Sequence, residues 1–291
     1  MRITQTMIYR NLLDGAENLR ENIETANQQI SSGKKLNSLA DSPAGSAELV
    51  DLRAELARVD QYRENSGSGG FFVNLGESVL SSAIDVVTAI YTRGSAGASS
   101  LYDVKSRTEL AKEVRSLRDQ LLSLANTEAH GRHIFAGSQI TAAPFTISED
   151  TVSYQGDLIQ NRIDVGDGLQ VQQNVAGSTA FSKAFSAVEQ VLAALDSGDP
   201  AAMQTALGQF EGALADLTES RAELGVSLST IQGAGTEQDS RELAIKDRES
   251  KIEDANLAEA ATQLKANETA LEATFAARTV TGQKNLFDYL A

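Results

Sequence analysis

Apolar residues recur at alternating intervals of three and four along most of this chain. That spacing dictates long helices packed through a single stripe. Leu12, Ala16, Leu19, Ile23, Ala26 and Ile30 form one such run. Leu49, Leu52, Leu56 and Val59 form a second, and Leu80, Ala83, Val87 and Ile90 a third. Leu110, Val114, Leu117, Leu121 and Leu124 follow. Farther on, Leu207, Phe210, Leu214, Leu217, Leu224, Leu228 and Ile231 keep the spacing if Arg221 fills one slot. Leu257, Ala261, Leu264, Leu271 and Phe275 resume it with Glu268 in one slot. Only three prolines interrupt 291 residues, and proline is the strongest helix breaker.

Helix ends follow from the punctuation. The first helix is expected from about Thr4 to Ser32, on the order of 40 Å long, and Gly33 stops it. A polar connector, Lys34 to Asp41, leads to Ser42-Pro43, where proline sits at a first helical position and its missing N–H costs nothing. Ser66–Gly70 and Gly94–Ser100 read as breaks, Gly233 and Gly235 as candidate interruptions, and Ser106-x-x-Glu109 as a capping box. Asp199-Pro200 is a strong start signal.

Near His133 the period changes to two. Ile163 and Val165 alternate with polar residues, as do Leu169, Val171 and Val175 with Gln173 skipped, and Gly166-Asp167-Gly168 fits the hairpin turn between them. Helix returns after Ser182. The expected fold is mainly α: a long-helix coiled-coil bundle with paired N- and C-terminal helices and a small β-rich insert. Residues 1–41 with 255–291 would form the terminal pair, 42–135 with 183–254 the bundle, and 136–182 an outer domain able to fold as its own unit.

Chemistry is nearly absent from the sequence. Forty acids against 25 bases leave a net charge of −15, which argues against nucleic acid and against anionic membrane surfaces. No apolar run approaches the roughly 18 residues of a membrane span, so no membrane insertion is expected. There are no cysteines, which removes disulfides, thiolate metal sites and cysteine nucleophiles. Residues 1–25 lack the apolar centre of a signal peptide. The chain is therefore expected in the cytoplasm, or outside by a route without a cleaved signal. His130 and His133 flank Gly131 at a change of period and read as a surface turn. No His-Glu-x-x-His, phosphate-loop or calcium-loop pattern occurs, so no catalytic residue, cofactor or metal is expected.

Ala184 to Ser220 holds six acids and no Lys or Arg. It reads either as a solvated face or as a contact with a basic partner. The terminal seams read as a core or as a surface for packing between copies, and burial against a single partner helix is a weak return for ordering so many residues. The second reading places an assembly interface on Leu12, Ala16, Leu19, Ile23, Ala26 and Ile30, and on Leu257, Ala261, Leu264, Leu271 and Phe275, extended to Leu286, Phe287 and Leu290.

Several stretches resemble the flagellin superfamily. Gln29-Ile30-Ser31-Ser32-Gly33-Lys34-Lys35-Leu36-Asn37, then Asp41-Ser42-Pro43-Ala44, is similar to the family's N-terminal signature, with Ser42 where an acid is usual. Ala258-Glu259-Ala260 through Leu264, and Ala270-Leu271-Glu272-Ala273, fit its C-terminus. Gly131-Arg132-His133-Ile134-Phe135-Ala136-Gly137-Ser138, Ala143-Pro144-Phe145 and the ending Asn285-Leu286-Phe287-Asp288-Tyr289-Leu290 look like the hook–filament junction branch. The resemblance implies a structural flagellar adaptor, exported unfolded through the type III apparatus with an export chaperone. It would sit as a homo-oligomer in an axial ring between hook-associated protein 1 and flagellin. A small flagellin is the alternative within the family. Outside it stands a metal-binding or enzymatic module using His130 and His133.

Overall fold

The structure is a computed structural model that describes residues 5–38, 40–99, 103–148 and 151–283. Six helices carry it: α1 (Gln5–Ser32), α2 (Pro43–Gly97), α3 (Val104–Ala125), α4 (Gly177–Ser197), α5 (Pro200–Glu253) and α6 (Leu257–Gln283). The chain divides into two units, with the boundaries between Arg58 and Val59 and between Ser240 and Arg241.

The expected break at Ser66–Gly70 does not exist, because α2 runs through it for 55 residues. The reason is phase. Leu52, Val59, Ser66, Val73, Leu80 and Val87 are all seven apart and all buried, so the stripe crosses the Gly/Ser stretch without slipping. The glycines make room: a Cβ on Gly69 would lie 3.2 Å from Ile163 Cγ2 and 3.3 Å from Gln173 Nε2. The second expected break also starts later, since α2 reaches Gly97.

Helix α5 likewise runs unbroken through Gly233 and Gly235. Its most buried line is Met203, Ala206, Phe210, Ala213, Leu217, Ser220, Leu224, Ser227, Ile231, Ala234 and Gln238. That line keeps Phe210, Leu217, Leu224 and Ile231 of the expected set and replaces Leu207, Leu214, Arg221 and Leu228 by Ala206, Ala213, Ser220 and Ser227. Leu207, Leu214 and Leu228 are only partly buried, and Arg221 Nε lies 2.6 Å from Glu77 Oε1. Small buried side chains carry little hydropathy signal, so apolarity counts pass over them.

Two helix starts differ from expectation. Asp103 caps α3, its Oδ1 accepting the Ser106 N–H at 2.8 Å, in place of a Ser106 capping box. α4 begins at Gly177, whose N–H donates to Phe135 O at 2.9 Å, and a Cβ there would stand 2.8 Å from that oxygen. The Asp199-Pro200 start is present, with Asp199 Oδ1 accepting the Ala201 N–H at 2.9 Å.

Three antiparallel strand pairs decorate the larger unit: β1 (Glu128–Ala129) with β2 (Arg132–His133), β3 (Phe145–Ser148) with β4 (Thr151–Tyr154), and β5 (Arg162–Gly166) with β6 (Leu169–Gln172). The expected hairpin is present, with Ile163 opposite Val171 and Gly168 at φ +70° in the turn. The strands do not form a free-standing module. Phe145, Val165, Val171 and Val175 belong to the same core as Val73, Leu80, Leu121 and Phe210. Phe145 packs against Phe181 and Phe185 with ring centroids 5.9 and 5.1 Å apart. Asn126 Oδ1 and Nδ2 also clasp the Phe145 backbone at 2.9 Å each.

Contrary to the sequence expectation, α2 is long enough and over one window apolar enough to cross a membrane, by length and composition alone. Its Val73, Leu80, Ala83, Val87 and Ile90 are instead buried in the protein core.

Candidate assembly interface

The first and last helices pack against each other, as the matching seams at the two chain ends require. On α1, Ala16 and Ala26 are buried, Leu12, Leu19 and Ile23 are half-buried, and Ile30 is exposed. On α6 the inward line is Ala260, Leu264, Asn267, Leu271 and Thr274, spaced 4, 3, 4 and 3. Leu264 and Leu271 of the expected set lie on it. Leu257 and Phe275 are 51% and 39% exposed, and Ala261 is exposed as well. Ala260, Asn267 and Thr274 were missed because small and polar residues at heptad slots carry little hydropathy signal. Leu286, Phe287 and Leu290 lie outside the described residues.

Phe275 lies at the rim of this pair, with Arg20 Cζ 5.7 Å from its ring centroid. Leu12, Leu13 and Ala16 line one crevice with Thr274 and Phe275. Ile23 and Leu271 line an open groove with Arg20, Glu24, Asn27 and Gln28. The stripe is therefore covered on one side and open on the other.

A clamp of polar groups ties the connectors at the base of the pair. Lys35 N–H donates to Glu253 O at 2.7 Å and Ala255 N–H to Gly33 O at 2.9 Å, a short antiparallel bridge between Lys34 and Asp254. Lys34 Nζ and Arg53 Nη2 converge on Glu253 Oε1 at 2.6 and 3.0 Å, and Arg53 Nε reaches Glu249 at 3.1 Å. The hydrogen bond from Lys34, with Arg53 helping, holds the Glu253 carboxyl below the usual carboxylate range. Asp41 is held low by the Ser38 and Asn37 N–H groups, each 2.8 Å from its Oδ2. Nothing local marks Lys34, Arg53 and Glu253 as partners, because their spacing along the chain bears no relation to their meeting.

The histidines are placed as a turn. His130 (φ 52°) and Gly131 (φ 74°) connect β1 and β2, and His133 Nδ1 lies 3.0 Å from Asn126 O. Among the described residues no group of three or more His, Asp and Glu side chains could hold a metal. Four acids of the Ala184–Ser220 stretch have partners. Asp196 meets Arg115 and Asp216 meets Lys183, each at 2.8 Å. Glu189 accepts the Val152 N–H at 2.7 Å, and Asp199 caps α5.

The family model of the bacterial flagellin N-terminal helical region matches residues 3–140, and that of the C-terminal helical region matches residues 207–290. The chain is 28% identical to flagellar hook-associated protein 3 of Salmonella typhimurium, over 94% of this chain and 95% of that protein. It is 24% identical to the flagellin of Listeria monocytogenes, over 83% of each. In structure it is similar to Xanthomonas campestris FlgL, with TM-score 0.63 and 19% identity, covering 68% of this chain and 99% of the other.

Proposed function

The chain belongs to the flagellin superfamily, and from that premise we propose that it is a subunit of the junction between flagellar hook and filament. Its relatives are structural flagellar proteins, and the bacterial flagellum is where such a chain works. One observation carries the reading: helices of 28 and 27 residues from opposite chain ends pair while their apolar stripe stays half open. A stripe of this kind is completed by copies of itself or by close relatives. Ile30, Leu257, Ala261 and Phe275 are the exposed part of the proposed contact, with Leu286, Phe287 and Leu290 continuing it. The ring of copies would join hook-associated protein 1 on the hook side to flagellin on the other. Export through the flagellar type III route with a dedicated chaperone completes the reading, and no chemistry is assigned.

A filament subunit is the second reading, favoured by the flagellin match. Extent separates them: the hook-associated relative aligns over nearly the whole of both chains, the flagellin over less. Immuno-electron microscopy of isolated flagella is the test. Label confined to a band at the hook end, and filaments shed by cells lacking the chain, support a junction subunit. Label along the filament would replace it by the flagellin reading.

A further inference from the structure

The larger unit carries a cationic, aromatic platform at the edge of its core, where Phe72 packs against the core and Phe71 stays exposed. Phe71, on α2, is 46% exposed and stacks on His130 with centroids 5.0 Å apart and planes at 19°. Arg132 Cζ lies 5.1 Å from the centroid of Phe72. Among the described residues Arg132 has no carboxylate partner, in a chain with fifteen more acids than bases by its net charge of −15. His130 sits at φ 52°, a turn position that Asn or Gly fills with less strain. At that position the imidazole makes the stacking contact with Phe71.

Beside the platform is a crevice about the size of one water molecule, lined by Phe72, Arg132, His133, Asn161, Gln173 and Asn174. Asn174 is 8% exposed. Its Oδ1 accepts the Asn161 N–H at 2.7 Å, which fixes the amide orientation and leaves Nδ2 buried with no partner. Arg132 and Asn174 thus line the same small crevice, close to the exposed Phe71 ring. A carboxylate is the partner that the Arg132 guanidinium lacks, and an apolar neighbour would cover Phe71.

The complementary pattern stands on the outer face of α5. Of the six acids between Ala184 and Ser220, only Glu211 and Glu219 lack a partner among the described residues. Glu219, Ala222, Glu223 and Val226 share one face at helical spacing, and Val226 is 68% exposed. Two unpaired carboxylates thus flank an exposed apolar side chain, matching an unpaired cation beside an exposed phenyl ring.

We propose that the Arg132–Asn174 notch receives a carboxylate, Glu219 or Glu223, from α5 of a neighbouring copy, with Phe71 covered by that copy's Val226. This rests on the reading of the chain as an assembling flagellar subunit and adds a lateral contact apart from the terminal helices. Exposed charge pairs contribute little, whereas a desolvated one with an apolar flank contributes to both affinity and register.

The test is charge exchange in cells expressing only the altered chain, read as filaments retained per cell, with the thermal transition of each purified variant as control. R132E, and separately E219R with E223R, are expected to lower retention on the order of tenfold. The triple variant is expected to recover most of it. Unchanged retention in R132E overturns the proposal, and so does failure of the triple variant to recover while its thermal transition is that of the parent. Loss without recovery would point instead to an acidic partner other than a second copy. If R132E does not fold, H130C with V226C serves, because the parent has no cysteine. A disulfide-linked ladder of copies in isolated flagella is expected, and its absence overturns the contact. Absence of the unaltered chain from flagella altogether would instead sink the assembly reading.

Discussion

Lys34 Nζ stands 2.6 Å from Glu253 Oε1, joining the connector after α1 to the last residue of α5, 219 residues away in the chain. The side chain of Glu253 is 11% exposed and that of Lys34 46%, so the carboxylate is the buried member and the one that most needs its partners. Through this pair, Arg53 and the short Lys34–Asp254 bridge, the place where α1 ends and α6 begins is held as one joint.

Replacing Glu253 by Gln should loosen that joint, at a cost of about 1–2 kcal/mol. The Lys35 and Ala255 amides, bonded across the bridge, report it by hydrogen exchange. Because the Glu253 carboxyl is held below its ordinary value, its stabilisation is complete above the unfolded carboxylate range. It is lost as pH falls through the depressed folded value. Protection of these two amides should therefore drop in acid for the parent. The Gln variant should start lower and lose the part of that drop due to Glu253. Equal protection in both proteins at neutral pH would show that the bridge does not depend on the carboxylate.

Leu19 and Ile23 lie on the half-buried face of α1. Changing both to Asp should block assembly at a cost of about 1–3 kcal/mol each. The thermal transition of the larger unit should stay within a few degrees, since its core is drawn from other helices. In the unassembled parent, Ile23 and Leu264 should exchange their amides quickly, because one partner helix covers a single side of each. Strong protection in the monomer would place this pair in the core.

Gly137 has φ +71°, and a Cβ there would fall 2.0 Å from Asp157 Oδ1. Asp157 Oδ1 also accepts the Ser138 and Ile159 N–H groups at 2.9 and 3.0 Å, and the Tyr154 hydroxyl donates to Asp157 O at 2.7 Å. Gly137→Ala should therefore cost about 3 kcal/mol or more, seen as a lower denaturant midpoint. A change below about 0.5 kcal/mol would mean that the loop shifts freely.

Deleting residues 138–180 should abolish the cooperative transition of the larger unit. The segment supplies Phe145, Val165, Val171 and Val175 to its core, and the start of α4 goes with it. A variant that unfolds cooperatively near the parent temperature would show that the strands are dispensable to that core.

Local pattern determined a good deal by itself. The 3/4 spacing specified long helices, the period of two specified the Ile163–Val171 hairpin, and similar seams at both ends specified that α1 and α6 pair. Each rests on interactions a few residues apart, where the chain's own geometry decides which side chains share a face. Tertiary structure decided the rest. Gly69 lies where Ile163 of the hairpin comes close, and Ala213, Ser220 and Ser227 are buried although they carry little hydropathy signal. The strands belong to the helical core because Phe145 meets Phe181 and Phe185. The Glu253 clamp and the Arg132–Asn174 notch are drawn from distant stretches, and only the folded chain brings the clamp within hydrogen-bonding reach and the notch residues to one crevice.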